Sequence, residues 1–244
     1  MTRGEAATAQ GMSRADKHEK FFTFLFMISF FAIGYVATNQ LAATRTVFLD
    51  LATDLDRSIP FMPASIFGYL FVYVSVLVGY AIIDDIRQWR LAAVTFLFST
   101  SIAYVFFLLV PVRMALRPDV GELGGLSEAV TRLYFAVDLP YNCFPSLHVT
   151  YPAFLALIVW PTHIRARWLM AAMALVVAGS VLLVKQHYVA DVAGGLANAT
   201  ICWWLATKTE RFWPELGRWL QPVRSLCESL PLPGLLGGTA GDDD

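Results

Sequence analysis

Six long apolar segments dominate the sequence, and short polar or charged turns separate most of them. Their approximate bounds are 21–43, 64–83, 91–112, 147–160, 168–184 and 189–206. A membrane-spanning helix needs about 20 mostly apolar residues, which is close to the length of these segments. Only 15% of the 244 residues are charged, against about a quarter in a typical soluble domain. We therefore predict an all-α integral membrane protein with six transmembrane helices.

The predicted domain organisation is one membrane domain between two tails. Residues 1–20 are polar and predict a cytoplasmic tail, residues 21–207 form the six-helix domain, and residues 208–244 form a second cytoplasmic tail with a disordered end. A signal peptide is a competing interpretation of the first apolar segment, because basic residues precede it. The segment is longer than a usual signal-peptide core and lacks a clear small-x-small cleavage site.

The distribution of lysine and arginine predicts the orientation of the helices. Placing the N-terminus inside puts 12 of the 18 basic residues on the inner side. Cytoplasmic loops carry an excess of these residues. We therefore predict that both termini lie inside.

The segment 44–61 differs from the six spans because its apolar residues recur at helical spacing among charged ones. The apolar positions are Val47, Phe48, Leu51 and Leu55. This pattern predicts a short amphipathic helix lying in the membrane interface and ending at Pro60. Either a helix packed on the surface without a role or a lid over a site fits the pattern.

Two short histidine-containing motifs lie at the ends of apolar segments. The first runs from Phe144 to His148 and the second from Lys185 to Asp191. With an inner N-terminus, the third span exits before Arg117, the fourth re-enters at the first motif, and the second motif joins the fifth and sixth spans. Both motifs and Arg117 are therefore predicted at one membrane face, the non-cytoplasmic one.

The residue types at the first motif favour anion binding. Ser146 follows a proline and precedes an apolar helix, so it is a natural N-cap. The free amides of a helix start carry the positive end of the helix dipole and attract anions. His148 lies in the first turn of that helix, beside the position of such an anion.

The second motif favours nucleophilic chemistry. His187 and Asp191 are four residues apart and share a face if one helix contains both. A carboxylate that accepts the N–H of an imidazole fixes its tautomer and leaves the other ring nitrogen as a nucleophile. Arg117 and Lys185 add positive charge for phosphate oxygens. The motifs together predict one site that handles phosphate.

Other interpretations of the same residues stay open at this point. A histidine at the end of a span is often only interfacial, Ser146 can be a simple cap, and Asp191 can merely complement a helix dipole. A proton or ion path is a further alternative, because ionisable residues inside membranes also mark such paths. Net charge is −1, and no concentrated basic face favours nucleic acid. Cys143, Cys202 and Cys227 show neither CxxC pairing nor zinc-ligand spacing, so we expect no metal site and no disulfide.

The three motifs resemble the signature of a known family. Arg117-Pro118, Pro145-Ser-Leu-His148 and His187-x-x-x-Asp191 resemble the type-2 phosphatidic acid phosphatase superfamily. The sequences Phe144–His148 and Lys185–Tyr188 look most like its inositol phosphorylceramide synthase branch. The resemblance covers about residues 113–195, within a motif-bearing core at 113–207.

The resemblance implies a cofactor-free and metal-independent reaction through a phosphohistidine. It implies that His187 is the nucleophile, that Asp191 orients it, and that His148 is the general acid. It also implies that Ser146, Arg117 and the amides near Leu147 bind the phosphoryl oxygens.

The chain departs from the family pattern at three positions. The pattern has lysine where this chain has Val110, glycine where it has Leu147, and arginine where it has Val181. Arg113, one helical turn before Arg117, and Lys185 are the candidates to replace the missing charges.

We therefore expect a membrane-embedded enzyme that acts on a lipid phosphoester, with membrane lipids as substrate and acceptor. The branch resemblance favours transfer of a phosphoryl head group to a lipid alcohol, and hydrolysis to free phosphate is the close alternative. A non-catalytic transporter or binding protein is a more distant one. The sequence makes no prediction of oligomeric state.

Overall fold

The structure, a computed structural model, describes residues 12–119 and 125–213. The α-helices are α1 (Arg14–Ala43), α2 (Asp54–Ser58), α3 (Ile66–Tyr69), α4 (Phe71–Ile82), α5 (Ile86–Leu109), α6 (Leu126–Val137), α7 (Leu147–Val159), α8 (Ala166–Leu183) and α9 (Val189–Thr209), with 3₁₀ turns at Pro63–Ser65 and Glu210–Phe212. One isolated parallel bridge, between Leu49 and Val112, is the β-structure among these residues. The predicted all-α class is therefore confirmed.

In the part of the chain that the structure describes, five helical segments are long and apolar enough to cross a membrane. They are Arg14–Ala43, Pro63–Ile82, Ile86–Leu109, Ala166–Leu183 and Val189–Thr209. The second is composite, since a 3₁₀ turn, α3 and α4 follow one another. These segments account for five of the six predicted spans, and most of their ends lie within a few residues of the predicted ones.

The predicted fourth span is shorter than the others. Helix α7 has 13 residues and extends about 20 Å at 1.5 Å per residue, less than the roughly 30 Å of bilayer hydrocarbon. It packs against α4, α5, α8 and α9. Most of its side chains are buried, so α7 is the central helix of the bundle.

The first helix begins earlier than predicted, at Arg14 rather than at residue 21. A capping box explains this start, because Ser13 Oγ accepts the Asp16 amide while the Asp16 carboxylate accepts the Ser13 amide. The remaining tail predictions, for residues 1–11 and 214–244, lie outside the described residues.

The predicted interfacial helix is much shorter than its amphipathic pattern indicates. Only Asp54–Ser58 is helical, and it starts at a capping box between Thr53 and Asp56. The preceding apolar residues are not helical, because the Leu49 amide donates to the Pro111 carbonyl at 2.8 Å. Tertiary pairing with the segment after α5 thus replaces the local helix.

The segment 113–143 contains a helix that was not predicted. Helix α6 (Leu126–Val137) lies within it and contacts α3 and the 3₁₀ turn before α3. Thr131 is fully buried at this contact, and its hydroxyl donates to the Ser127 carbonyl at 2.7 Å. The same hydroxyl lies 3.3 Å from the Pro63 carbonyl, so α6 is packed on the turn before α3 immediately ahead of residues 138–146, which lead to α7.

Helices α7 and α9 cross closely where both begin. A Cβ atom at Gly195 would lie 2.6 Å from the Ser146 carbonyl oxygen, which is closer than packed atoms tolerate. The Thr150 hydroxyl donates to the Gly195 carbonyl at 3.0 Å across the same contact. Glycine at this position therefore sets the distance between the two helix starts.

Replacing Gly195 with alanine should destabilise the protein. The new methyl group meets backbone rather than a flexible side chain, so α7 and α9 must separate, at a cost of about 1–3 kcal/mol. We expect a lower thermal midpoint for purified Gly195→Ala in detergent.

Gly179→Ala is a matched control for this change. A Cβ atom there has no neighbour within 4 Å, and alanine is the better helix former by about 1 kcal/mol. Its midpoint should stay constant or rise. Equal midpoints for the two variants would contradict the close crossing.

Candidate active site

The two predicted histidines are in direct contact. His148 lies in the first turn of α7, and His187 lies in the connection between α8 and α9. His148 Nδ1 is 3.1 Å from His187 Nε2. Their exposed fractions are only 8% and 4%. The structure thus brings both motifs together in one buried site.

Asp191 contacts His187, but not in the way that the spacing predicts. His187 precedes α9, which begins at Val189, so the two residues do not share a helix. Asp191 Oδ2 lies 3.3 Å from His187 Nδ1 and accepts the Tyr188 amide at 2.9 Å. The carboxylate therefore caps α9 and also contacts the histidine.

A tight turn after α8 explains how His187 reaches this position. Lys185 has a positive φ of 57°, a left-handed conformation that reverses the chain. The amides of Gln186 and His187 both donate to the Val181 carbonyl, at 2.9 and 3.2 Å. The turn thereby ends α8 and directs the His187 ring toward α7.

Ser146 occupies the predicted N-cap position of α7 without forming the predicted side-chain cap. Its amide donates to the Asp191 carbonyl at 3.1 Å, which joins the starts of α7 and α9. Its hydroxyl is buried and has no hydrogen-bond partner among the described residues. A buried hydroxyl at a helix start is suited to donate to an anion.

Arg117 lies beside the second motif. Its guanidinium donates to the Gln186 side-chain oxygen and, at 2.8 Å, to the Asp138 carbonyl. It also lies 4.1 Å from the centroid of the Phe135 ring. Its Nε is buried and has no partner within the described part of the chain. Arg117 is therefore held next to the residue that precedes His187, with one donor unused.

Asp138 is a site residue that the sequence analysis missed. It is 5% exposed. Its carboxylate accepts Tyr35 Oη at 2.7 Å and Gln186 Nε2 at 2.5 Å. Burial raises the pKa of Asp138, while the Tyr35 hydrogen bond and the charge of Arg117 oppose that rise. A lone acidic residue between apolar neighbours was the available signal in the sequence.

Tyr69 is the second missed residue, and it connects Asp138 to His148. Tyr69 Oη lies 2.5 Å from His148 Nε2 and 3.4 Å from Asp138 Oδ2. It also lies 2.6 Å from Tyr134 Oη. Tyr69 is fully buried. Each histidine therefore has a carboxylate behind it, directly for His187 and through a tyrosine for His148.

Lys185 is close to the site but already bonded. Its ammonium donates to the Asp56 carbonyl at 2.7 Å, and the Asp56 carboxylate accepts the Val189 amide at 2.7 Å. Burial lowers the pKa of Lys185, and the charge of Asp56 opposes that change. The lysine therefore links α2 to the turn that contains His187 through this hydrogen bond.

Arg113 is placed differently from Arg117. Its side chain is exposed, and its backbone carbonyl accepts the Tyr188 hydroxyl at 3.0 Å. The two positions with missing family charges also differ, because Val181 is fully buried in the core while Val110 ends α5.

Within residues 12–119 and 125–213, one group of side chains has donor atoms close enough for a metal ion. Cys143, His187 and Asp191 each offer one ligand atom, all within 4.8 Å of one another. Burial and the nearby carboxylates of Asp191 and Asp138 raise the pKa of the Cys143 thiol well above its usual value. A protonated thiol is a poor ligand, so the chemistry of this set does not favour a metal. Cys143 and Cys202 are free thiols, whereas Cys227 lies outside the described residues.

The contacts define which nitrogen atoms carry protons when both rings are neutral. An ionised Asp191 accepts from His187 Nδ1–H, which leaves a lone pair on His187 Nε2. His148 Nδ1–H then donates to that lone pair, and Tyr69 donates to His148 Nε2. The arrangement presents a nucleophilic nitrogen facing a proton donor.

Comparison with known protein families supplies independent information. The sequence pattern of the PAP2 superfamily matches residues 46–205, a range that contains all three motifs and both histidines. No curated protein and no solved structure shows significant similarity to the chain. Because the match extends over well over half of the 244 residues, the chain belongs to the PAP2 superfamily.

Proposed function

We propose that the protein transfers a phosphoryl head group from a membrane lipid phosphoester to an alcohol through a phosphohistidine at His187. Membership of the PAP2 superfamily indicates an enzyme of the lipid phosphatase or phosphotransferase type. The observation that carries the proposal is the buried contact series from Asp191 to His187 to His148. It supports the assignment of a nucleophile and a proton donor to two side chains in direct contact.

In the first step, His187 Nε2 attacks the phosphorus atom. A phosphoryl group enters between the two histidine rings, which must separate because their nitrogens are only 3.1 Å apart. A nitrogen–phosphorus bond forms and the bond to the lipid oxygen breaks. Asp191 stabilises the positive charge that develops on the His187 ring.

His148 is the proton donor to the departing oxygen in this proposal. A protonated His148 gives its Nδ1 proton to the lipid alkoxide and becomes neutral. In the second step, the same nitrogen accepts the proton of the incoming alcohol, whose oxygen attacks the phosphorus as the bond to His187 breaks. The Asp138 charge, connected through Tyr69, stabilises the protonated ring.

The unpartnered donors of the site are proposed to bind the phosphoryl oxygens. Ser146 Oγ and Arg117 Nε are buried and lack partners among the described residues, and unsatisfied donors of this kind are costly unless a ligand completes them. Arg113 and Lys185 are proposed to contribute positive charge from further away. No metal and no cofactor takes part.

Two observations support an alcohol acceptor and a phosphodiester donor, respectively. The nucleophile is 4% exposed, which restricts water. Lys185 is bonded to a carbonyl, and valine stands at two positions that are basic in the family pattern. Fewer cations suit a diester with one charge better than a monoester with nearly two. The resemblance to the inositol phosphorylceramide synthase branch agrees with this preference. Hydrolysis of a lipid phosphate and non-catalytic transport are the alternatives.

We also propose a topology of six crossings with both termini inside and the site at the non-cytoplasmic face. Helix α7, extended by the residues on either side of it, is the fourth of these crossings in chain order and joins the five longer helical segments. The uneven distribution of basic residues supports this orientation. The proposed boundaries are a tail at 1–20, a membrane domain at 21–207 and a tail at 208–244.

His187→Gln should abolish turnover of a ³²P-labelled lipid phosphoester, with a loss of at least ~10⁴-fold, as expected for removal of a nucleophile. The wild-type protein should also yield an acid-labile, base-stable phosphoprotein after rapid quenching. The variant should yield none.

His163→Gln is the matched control, since His163 follows α7 at the end opposite to His148. It should retain full turnover and labelling. Turnover that persists in folded His187→Gln would contradict the covalent mechanism, and a folded wild type that binds the lipid but shows neither labelling nor turnover would favour a binding protein.

The acceptor can be identified by following the fate of the label. We expect purified enzyme, given a lipid phosphodiester labelled at phosphorus, to transfer the label to an added long-chain alcohol. Product formation should depend on alcohol concentration while the rate of phosphohistidine formation does not. Water-soluble labelled phosphate or head-group phosphate as the sole product, at every alcohol concentration, would establish hydrolysis instead.

His148→Ala should slow phosphohistidine formation by ~10²–10⁴-fold for an alkyl ester, as for loss of a positioned general acid. The loss should be much smaller for a 4-nitrophenyl ester, whose leaving group needs no proton. Tyr69→Phe should act in the same direction by roughly 10- to 100-fold, because it removes one hydrogen bond to a charged ring. Equal losses for the two esters in both variants would exclude the general-acid role.

A further inference from the structure

An apolar cavity of about 420 Å³ lies between α1, α4, α5 and α7 and reaches His148. Helix α1 packs chiefly on α5, whereas α4 packs on α7 and α8, so the cavity lies between the two groups. Apart from His148, its lining is almost wholly hydrocarbon and aromatic. A cavity of this size and lining is suited to an apolar ligand.

The side of the cavity opens onto the surface of the bundle. Ile28 of α1 and both Tyr73 and Leu77 of α4 line it, although they are 46%, 48% and 59% exposed. Since α1 and α4 each belong to a membrane-crossing segment, this opening faces lipid. A hydrocarbon chain can therefore enter sideways from the bilayer.

The end of the cavity opposite to His148 is closed by aromatic rings. Phe24, Tyr80 and Trp89 contact one another with centroid distances of 4.5 to 6.2 Å. Lys20 covers them, with its ammonium 4.5 Å from the Tyr80 centroid and donating to the Ile83 carbonyl at 2.6 Å. We call these three rings the aromatic floor.

The floor lies at a defined depth below the site. The lining residues extend over seven residue steps of α4, from Tyr73 to Tyr80, and over eleven residue steps of α1, from Phe24 to Tyr35. At 1.5 Å per residue, the cavity is therefore roughly 10–16 Å deep. An extended chain advances about 1.2 Å per bond. The depth therefore corresponds to roughly nine to thirteen bonds.

We propose that this cavity binds one hydrocarbon chain of the lipid whose oxygen His148 protonates, and that the aromatic floor sets the chain length that fits. The inference rests on the proposed function, because it assigns the chain to that substrate. Other chains of the lipid stay in the bilayer. Tyr80, Trp89 and Ala92, all at the closed end, determine specificity without touching the reacting atoms.

The test compares two opposite changes at the closed end. Tyr80→Leu removes a ring from the floor, and Ala92→Leu adds bulk to a residue that lines the cavity and is 1% exposed. The probes are methyl alkyl phosphates, diesters with one charge and a straight alkyl chain of 4 to 18 carbons, in mixed micelles at fixed mole fraction with a fixed excess of one distinguishable alcohol acceptor. The readout is release of the alkyl alcohol, which accompanies both transfer and hydrolysis. Partitioning into micelles cancels in the variant-to-wild-type ratio of kcat/KM.

We expect a ratio near one for the shortest chains in both variants. For chains that reach the floor, Ala92→Leu should lower the ratio, by about fourfold for each methylene displaced from contact, whereas Tyr80→Leu should raise it. Phe67→Leu and Ala197→Leu are matched controls, because both residues are exposed and do not line the cavity. Their ratios should not depend on chain length.

Ratios that are independent of chain length in both floor variants would overturn the proposal. That failure is distinguishable from failure of the proposed function. If the wild type releases alcohol and labels His187 but the ratios stay flat, only the chain site is wrong. If the wild type releases no alcohol from any ester, the proposed function fails as well.

Discussion

The buried carboxylate of Asp138 is the constraint on which the site depends. An unpaired charge in this position would cost several kcal/mol, so the surrounding chain must supply donors. Tyr35 of α1 and Gln186 of the turn after α8 donate to its two oxygens, and the Tyr69 hydroxyl of α3, which contacts His148, lies 3.4 Å from Oδ2. Satisfying one charge therefore fixes three separate segments relative to α7, and with them the ring of His148 and the turn that contains His187.

The two histidines differ in how each is paired, and this difference favours different roles. Asp191 contacts His187 directly at 3.3 Å, which suits a ring that must gain positive charge as it attacks. Asp138 reaches His148 only through Tyr69, which provides weaker support for the charged form. A proton donor must be able to lose its charge within the reaction, so weaker support is the better match for His148.

Much of this site is predictable from the sequence. Its main signals are either local motifs or follow from the alternating direction in which successive spans cross the membrane. The order of the apolar segments and the positions of the motifs at their ends were sufficient to bring His148, His187 and Arg117 together. Asp138 and Tyr69 were missed because they are 69 residues apart in the sequence and meet only in the folded protein. The spacing of apolar residues along the chain does not reveal such a contact. The interfacial helix was overestimated for a related reason, because the Leu49 amide pairs with a distant carbonyl. In contrast, α6 has apolar residues at helical spacing, a local signal that the sequence analysis did not use.

The position of the apolar cavity relative to the two histidines bears on which side of the phosphorus atom the leaving group occupies. The cavity reaches His148 and not His187, and the two rings face each other across the position proposed for phosphorus. A chain bound in the cavity therefore approaches from the side of the proton donor. Attack by His187 from the other side is then in line with the bond to the lipid oxygen. In the proposed mechanism the hydrocarbon site and the general acid are therefore both on the leaving-group side, so binding of the chain would itself align the bond that breaks.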